Sequence, residues 1–256
     1  QSQLIEDYLD QQNIANVMVV KQEQQLGTGH ALLQALPHIT TGSQVLTVVG
    51  DVPGLVEQDL QLFLQQAVGK LGLITTDHDN NLIEVVEEVN ASSQQKLIKE
   101  VNTGIVTAPI DFLKSYLPQV EINKVKQEYY LLDVLPFWLK KYGNAITFQS
   151  NNTQYLFGVN DALELYSMQH KMQKRLLLDL LKSGVKFYDI NRVDIRGDIK
   201  IDPGVVIDVN VILSGTVNIA HGSNIGAGAV LNNCDIGKNV IIKPYSVCDN
   251  VSIAAG

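Results

Sequence analysis

The chain has 256 residues, 45% of them hydrophobic and 18% charged, with a formal net charge of −8 at pH 7. That length suits one large or two smaller domains with a substantial core, and the acidic balance argues against nucleic acid or an anionic membrane as partner, since either favours a basic face. No apolar run is long enough to span a bilayer, and Cys234 and Cys248 form no disulfide framework, so the expectation is a cytoplasmic protein with buried thiols.

In chain order, residues 3–12 (QLIEDYLDQQ) read as an amphipathic helix and 17–20 (VMVV) as a short buried strand. The stretch 22–31 (QEQQLGTGHA) is a loop carrying Gly27 and Gly29, running into a helix that stops at Pro37. Glycines let the backbone approach a ligand closely, and the helix that follows offers free N–H groups to it. Gln22 and Gln25 carry the donors and acceptors needed to read a base edge, although such a triplet is also an ordinary turn, and His30 reads as structural. The run 45–49 (VLTVV) predicts a strand buried on both faces of a parallel sheet. It breaks off at Gly50 and Asp51, where ligands of open α/β sheets bind, beyond the strand's carboxyl end. An acid placed there suits a hard cation, and equally a turn that starts the next segment.

A helix is predicted at 57–67, strands at 71–76, 82–87 and 101–105, and helices at 109–117 and 129–141. Glu87 reads as a solvated edge, Asn102 as a turn former, and Asn160 with Asp161 as the cap of a long helix closed by Ser183 and Gly184. About 22 helical residues reach roughly 33 Å, enough for an arm between two bodies. His38, His78 and His170 lack metal-ligand spacing, and His221 reads as a surface residue.

The last stretch has a period of its own. Ile201, Ile207, Leu213, Ile219, Ile225 and Leu231 stand six apart, and Val205, Val211, Val217, Ser223 and Ala229 keep the same step. Neither a helix nor a half-buried strand repeats every six residues. A triangular parallel β-helix does, each hexapeptide forming one face of the prism.

Taken together, "QLGTGHA" (25–31), "GDVPGL" (50–55), "VVEE" (85–88), "VNTGI" (101–105), "QEYYLLD" (127–133), "GVND" (158–161) and "DIRG" (194–197) resemble the motifs of a bacterial enzyme family. It is that of the bifunctional N-acetylglucosamine-1-phosphate uridyltransferases/glucosamine-1-phosphate N-acetyltransferases. The single motifs are short, but their order and spacing are specific, and the resemblance covers essentially the whole chain. It implies an α/β fold in three parts. These are a Rossmann-like, mostly parallel nucleotidyltransferase domain (1–160), a helical arm (161–184) and the start of a left-handed parallel β-helix of hexapeptide repeats (185–256).

The resemblance also implies a chemistry. The phosphate of N-acetylglucosamine 1-phosphate attacks the α-phosphorus of UTP in line, giving UDP-N-acetylglucosamine and pyrophosphate. Gln22, Gly27 and Thr28 would hold the uracil, and Val49 and Gly50 would line the site by their backbone. Glu87 and Asn102 would bind the sugar, while Asp51 and Asn160 would hold Mg²⁺ and act as the catalytic pair. Acetyl-CoA would serve a second site, and the assembly would be a homotrimer through the β-helix.

The family's phosphate loop with its Arg and Lys falls before Gln1, and its acetyltransferase site falls after Gly256, so the expectation is a longer protein at both ends. A Gly-Tyr-Gly-Arg loop of the family is missing at Asn80–Asn81, and Val49 and Leu132 replace its Tyr and Thr. Another sugar-1-phosphate nucleotidyltransferase, making dTDP- or ADP-sugars, and a non-catalytic nucleotide-sugar-binding subunit remain as alternatives.

Overall fold

A computed structural model describes residues 2–12, 14–75, 82, 84–86, 91–98, 102–150 and 152–256. The chain divides into two units, Gln1–Gly158 and Val159–Gly256.

In the first unit, the described elements are α1 (Ser2–Gln12), α2 (Thr28–Ala35), β1 (Gln44–Thr47), α3 (Glu57–Gln66), β2 (Gly72–Thr75), β3 (Asn102–Pro109), α4 (Ile110–Tyr116), α5 (Leu135–Tyr142) and β4 (Ile146–Gln149). The sheet order is β1-β3-β2-β4, with β3 antiparallel to both neighbours and β2 parallel to β4. β1, β2 and β4 therefore point the same way, and β3 alone is reversed. Helices and strands alternate along an α/β unit, with the core on both sides of the sheet. Leu71, Leu73, Val106 and Trp138 belong to one cluster, and Phe63, Ile74, Ile105 and Phe148 to the other. Two hydroxyls inside the sheet are satisfied: Thr107 Oγ1 donates to the Val45 carbonyl (2.8 Å), and Thr103 Oγ1 to that of Ile74 (2.8 Å).

Several expectations for this unit need correction. Residues 17–20 form no strand, and Val17, Met18 and Val19 are exposed, because the run has no ladder partner among the described residues. β1 ends at Thr47 instead of residue 49 and buries only Val45, because it lies at the edge of the described sheet. Within 82–87, residues 82 and 84–86 are not in a strand, and the remainder lies outside the described residues. The helix expected at 129–141 begins only at Leu135. Pro136 occupies its first turn, where its missing N–H costs nothing, and a tight turn at 131–134 precedes it.

In the second unit, α6 (Ala162–Lys182) precedes β5 (Lys186–Phe187), β6 (Val193–Ile201), β7 (Val206–Ile207), β8 (Val211–Ile219), β9 (Asn224–Ile225), β10 (Val230–Ile236), β11 (Ile241–Ile242), β12 (Val247–Asp249) and β13 (Ser252–Ile253). All strand pairs are parallel, in two stacks, β12-β10-β8-β6 and β11-β9-β7-β5. Val193 pairs with Val211 and Ile201 with Ile219, eighteen positions on, which is three hexapeptides to a coil. This is the β-solenoid that the six-residue spacing predicts.

The six apolar residues of that spacing lie in one buried cluster with Val205, Val211, Val217 and Ala229, and Ser223 is buried too. Ser223 fits among them because its Oγ donates to the Gly237 carbonyl (2.8 Å) and accepts from Val240 N–H (3.1 Å). Beyond Leu231 the inward row continues one place early, at Ile236 and Ile242, with Cys234 in the small position. The slip falls between Asn232 and Cys234, opposite a longer corner in β8. Asn233 turns that corner with φ 50° and replaces the missing backbone acceptor, its Oδ1 taking the Thr216 N–H (3.0 Å).

α6 covers the first coil. Leu177 joins the solenoid core, and the Gln173 amide bonds both the N–H and the carbonyl of Ile195. A buried end of a solenoid needs such a cap. Cys234 is buried and Cys248 half-buried, and neither is in a disulfide. Burial, then the nearby Cys234 thiol, pushes the Cys248 thiol above its ordinary range. Among the described residues no helix is long and apolar enough to cross a membrane.

Candidate functional site

The first unit contains a cavity of about 250 Å³ lined by Thr28, Ala31, Leu32, Thr47, Val48, Val49, Asn102, Gly104, Val106 and residues 130–132. Each wall follows from local chain chemistry. On one side, the turn 26–29 is stitched to the chain segment opposite: Gly29 N–H donates to the Tyr129 carbonyl (2.8 Å) and Tyr129 N–H to that of Leu26 (2.7 Å). Gly27 has φ 92°, and a Cβ on it would lie 2.7 Å from the Tyr129 carbonyl oxygen, so only glycine fits. Thr28 Oγ1 accepts from Leu131 N–H (3.1 Å), which leaves its hydroxyl proton to donate into the cavity. α2 begins at Thr28 with no side-chain cap, and the Tyr129 carbonyl takes the Gly29 N–H of its first turn.

The other wall comes from β3. Leu73 pairs with Val106 but Thr75 pairs with Asn102, so β3 bulges by two residues at Gly104 (φ 77°). A Cβ on Gly104 would press 3.2 Å from both methyls of Val49. The bulge re-aims Asn102, which lines the cavity. Its Oδ1 is buried without a hydrogen-bond partner, the only such side-chain atom among the described residues. A buried amide oxygen left unpaired is costly, and a ligand hydroxyl or amide N–H in the cavity would relieve it.

The structure thus brings Thr28, Val49 and Asn102 to one cavity. Gly27 and Gln22 support its edge, with Gln22 Nε2 donating to the Gly27 carbonyl (3.2 Å). Gly50 and Asp51 follow β1 on the exposed turn just beyond it, and among the described residues Asp51 forms no salt bridge. A solvated, uncompensated carboxylate fits a cation that keeps most of its own water. Asn160 belongs to the second unit, where its N–H (2.7 Å) and Nδ2 (3.2 Å) donate to Glu164 Oε2. Since a carboxylate only accepts, the amide atom facing Glu164 is Nδ2, and Oδ1 is the atom left on the other side of the amide. The cap itself is Asp161, whose side chain accepts from Glu164 N–H (2.8 Å). Glu87 and the Asn80–Asn81 junction lie outside the described residues. Among the described residues no group of three His, Cys, Asp or Glu side chains is gathered for a metal.

Sequence reasoning missed Gly104, Val48 and the 130–132 wall. The signal for Gly104 was present, as a glycine inside a strand pattern marks a bulge.

No protein-family model matches the chain. Among curated proteins it is 34% identical over 246 residues to the Bifunctional protein GlmU of Aromatoleum aromaticum, covering 91% of this chain and 54% of that protein. It is 35% identical to the protein of the same name from Herminiimonas arsenicoxydans, with 91% and 54% covered. For that of Neisseria meningitidis serogroup B the identity is 34%, with 90% and 54% covered. The chain spans about half the length of these relatives.

Proposed function

We propose that this chain, related to the Bifunctional protein GlmU family over about nine tenths of its length, carries a sugar-nucleotidyltransferase site in its first unit. The reaction is transfer of UMP from UTP to N-acetylglucosamine 1-phosphate, giving UDP-N-acetylglucosamine and pyrophosphate. The observation that supports it most is the unpaired, buried Asn102 Oδ1 in the cavity, because it calls for a donor such as a sugar hydroxyl or an acetamido N–H. The Gly27–Thr28 turn, Gln22 included, takes the base at the opposite wall. A phosphoryl transfer of this kind asks little covalent work of the protein, and orientation of the two substrates dominates. Mg²⁺, when bound, neutralises phosphate charge beside Asp51, with Asn160 as the second candidate ligand. The whole protein also acetylates glucosamine 1-phosphate with acetyl-CoA, on solenoid coils like those of the second unit.

Calorimetric titration of UDP-N-acetylglucosamine into the chain tests the reading. Asn102→Leu is expected to weaken binding roughly tenfold, the worth of one hydrogen bond to a buried amide. Equal affinity in wild type and variant would remove the sugar role of Asn102. A pyrophosphate-release assay across nucleoside triphosphates and sugar 1-phosphates then separates UTP from dTTP or ATP as donor.

A further inference from the structure

The turn that carries the base end of the cavity contains a side-chain relay that the proposed function has not used. Gln22 Nε2 donates to the Gly27 carbonyl (3.2 Å) and lies 2.8 Å from His30 Nδ1. His30 Nε2 lies 3.3 Å from the Gln34 side-chain amide, and the imidazole stacks on Tyr129 at a ring-centroid distance of 6.3 Å. The chemistry of these groups leaves one arrangement. A backbone carbonyl only accepts, so the Gln22 atom facing Gly27 must be the amide nitrogen. The same nitrogen faces His30, so Nδ1 must be the bare acceptor and the ring proton sits on Nε2. An N–H cannot donate to the Gln34 amide nitrogen 3.3 Å away, so this tautomer turns the Gln34 amide over to present its Oε1 there. Both protons of Gln22 Nε2 are then committed, and Oε1 is the atom it presents outward.

We infer that His30 is a positioning residue that fixes the Gln22 amide with its oxygen outward, so that the site selects a base with a protonated ring nitrogen, as in uracil, over one with a bare nitrogen, as in cytosine. The inference rests on the reading that Gln22 meets the base. Without the Nδ1 acceptor, the Gly27 carbonyl alone holds the amide. Its two ends then exchange more freely, and the base preference falls.

The test is calorimetric titration of UDP and CDP into the whole chain and into the variants His30→Ala, His30→Gln, His30→Asn and Gln22→Leu. Alanine is the best helix former, so His30→Ala suits the first turn of α2. Wild type is expected to prefer UDP, and His30→Ala to lose roughly tenfold of that preference, the scale of one hydrogen bond. His30→Gln, whose amide reaches past the Nδ1 position, is the second loss variant should His30→Ala melt well below wild type. His30→Asn places its Oδ1 where Nδ1 was and should keep the preference to within about threefold. Neither His30→Ala nor His30→Asn retains the Tyr129 stack, so rescue by asparagine reports the acceptor alone. Full preference in both loss variants, or a loss in His30→Asn equal to that in His30→Ala, overturns the inference. Unchanged preference in Gln22→Leu overturns the base reading instead, and absence of UDP binding to wild type overturns both.

Discussion

Asn102 and Gly104 show how one bulge sets the chemistry of a strand. Gly104 adopts a left-handed φ against the Val49 side chain, and two residues earlier Asn102 is left with a buried, unpaired oxygen. Gly104→Ala adds both a strained φ and a 3.2 Å approach to Val49, and is expected to cost about 1–3 kcal/mol of stability. It should also weaken sugar-nucleotide binding, which a thermal melt and a titration on the same sample would resolve. Asp51→Asn should raise the Mg²⁺ concentration needed for half-maximal turnover while leaving the melting temperature within a degree or two, since the side chain is exposed. Asn160→Ala, assayed in parallel for Mg²⁺ dependence, tests the second expected ligand separately. The family resemblance marks Gln22, Gly27, Thr28 and Asn102 as ligand candidates, whereas the residues by themselves read Asn102 as a turn former and Gly27–Thr28 equally as an ordinary turn. The pairing of Thr28 with Asn102 across one cavity was not legible in the sequence, because it depends on the reversed β3 and its bulge.

Among the elements, α6 has the most complete local grammar. Asp161 caps it, Glu164 closes the cap by accepting from the residue before it, and Gly184 with φ 101° follows the last turn. Asp161→Ala is expected to cost about 1 kcal/mol, read as a lower denaturant midpoint with an unchanged m-value. Caps of this kind depend on a few neighbouring residues, which is why the bounds of α6 could be read from sequence. The run at 17–20 is the opposite case. Four apolar residues have strand propensity, but a strand exists only with a partner, and propensity says nothing of that. α5 falls between the two: its pattern was visible at 129–141, and the position of its start was decided by Pro136.

Across the whole molecule, the solenoid was the most legible part, because its period is a property of the chain and not of any single contact. The α/β unit was legible as alternation, but its strand order was not, since sequence alone does not fix which strands pair. The two thiols give a direct check on the solenoid's interior. Cys234 is buried away from reagent, and burial raises the Cys248 thiol, which keeps its reactive thiolate scarce at neutral pH. Alkylation at pH 7.5 should be much slower than that of free cysteine and should reach its normal rate only in denaturant. Fast labelling of Cys234 in the native chain would contradict the packing described.

The slip at Asn233 bears on how such a prism can change length. Side chains alternate in and out along each face, so losing a residue within a face would turn every later row inside out. Lost at a corner, as here, the residue is made good by a single side-chain amide, and Ile236 and Ile242 still point inward. A corner can therefore be one residue shorter without turning the core rows outward. A search that insists on an unbroken step of six will lose such a chain at its first short corner.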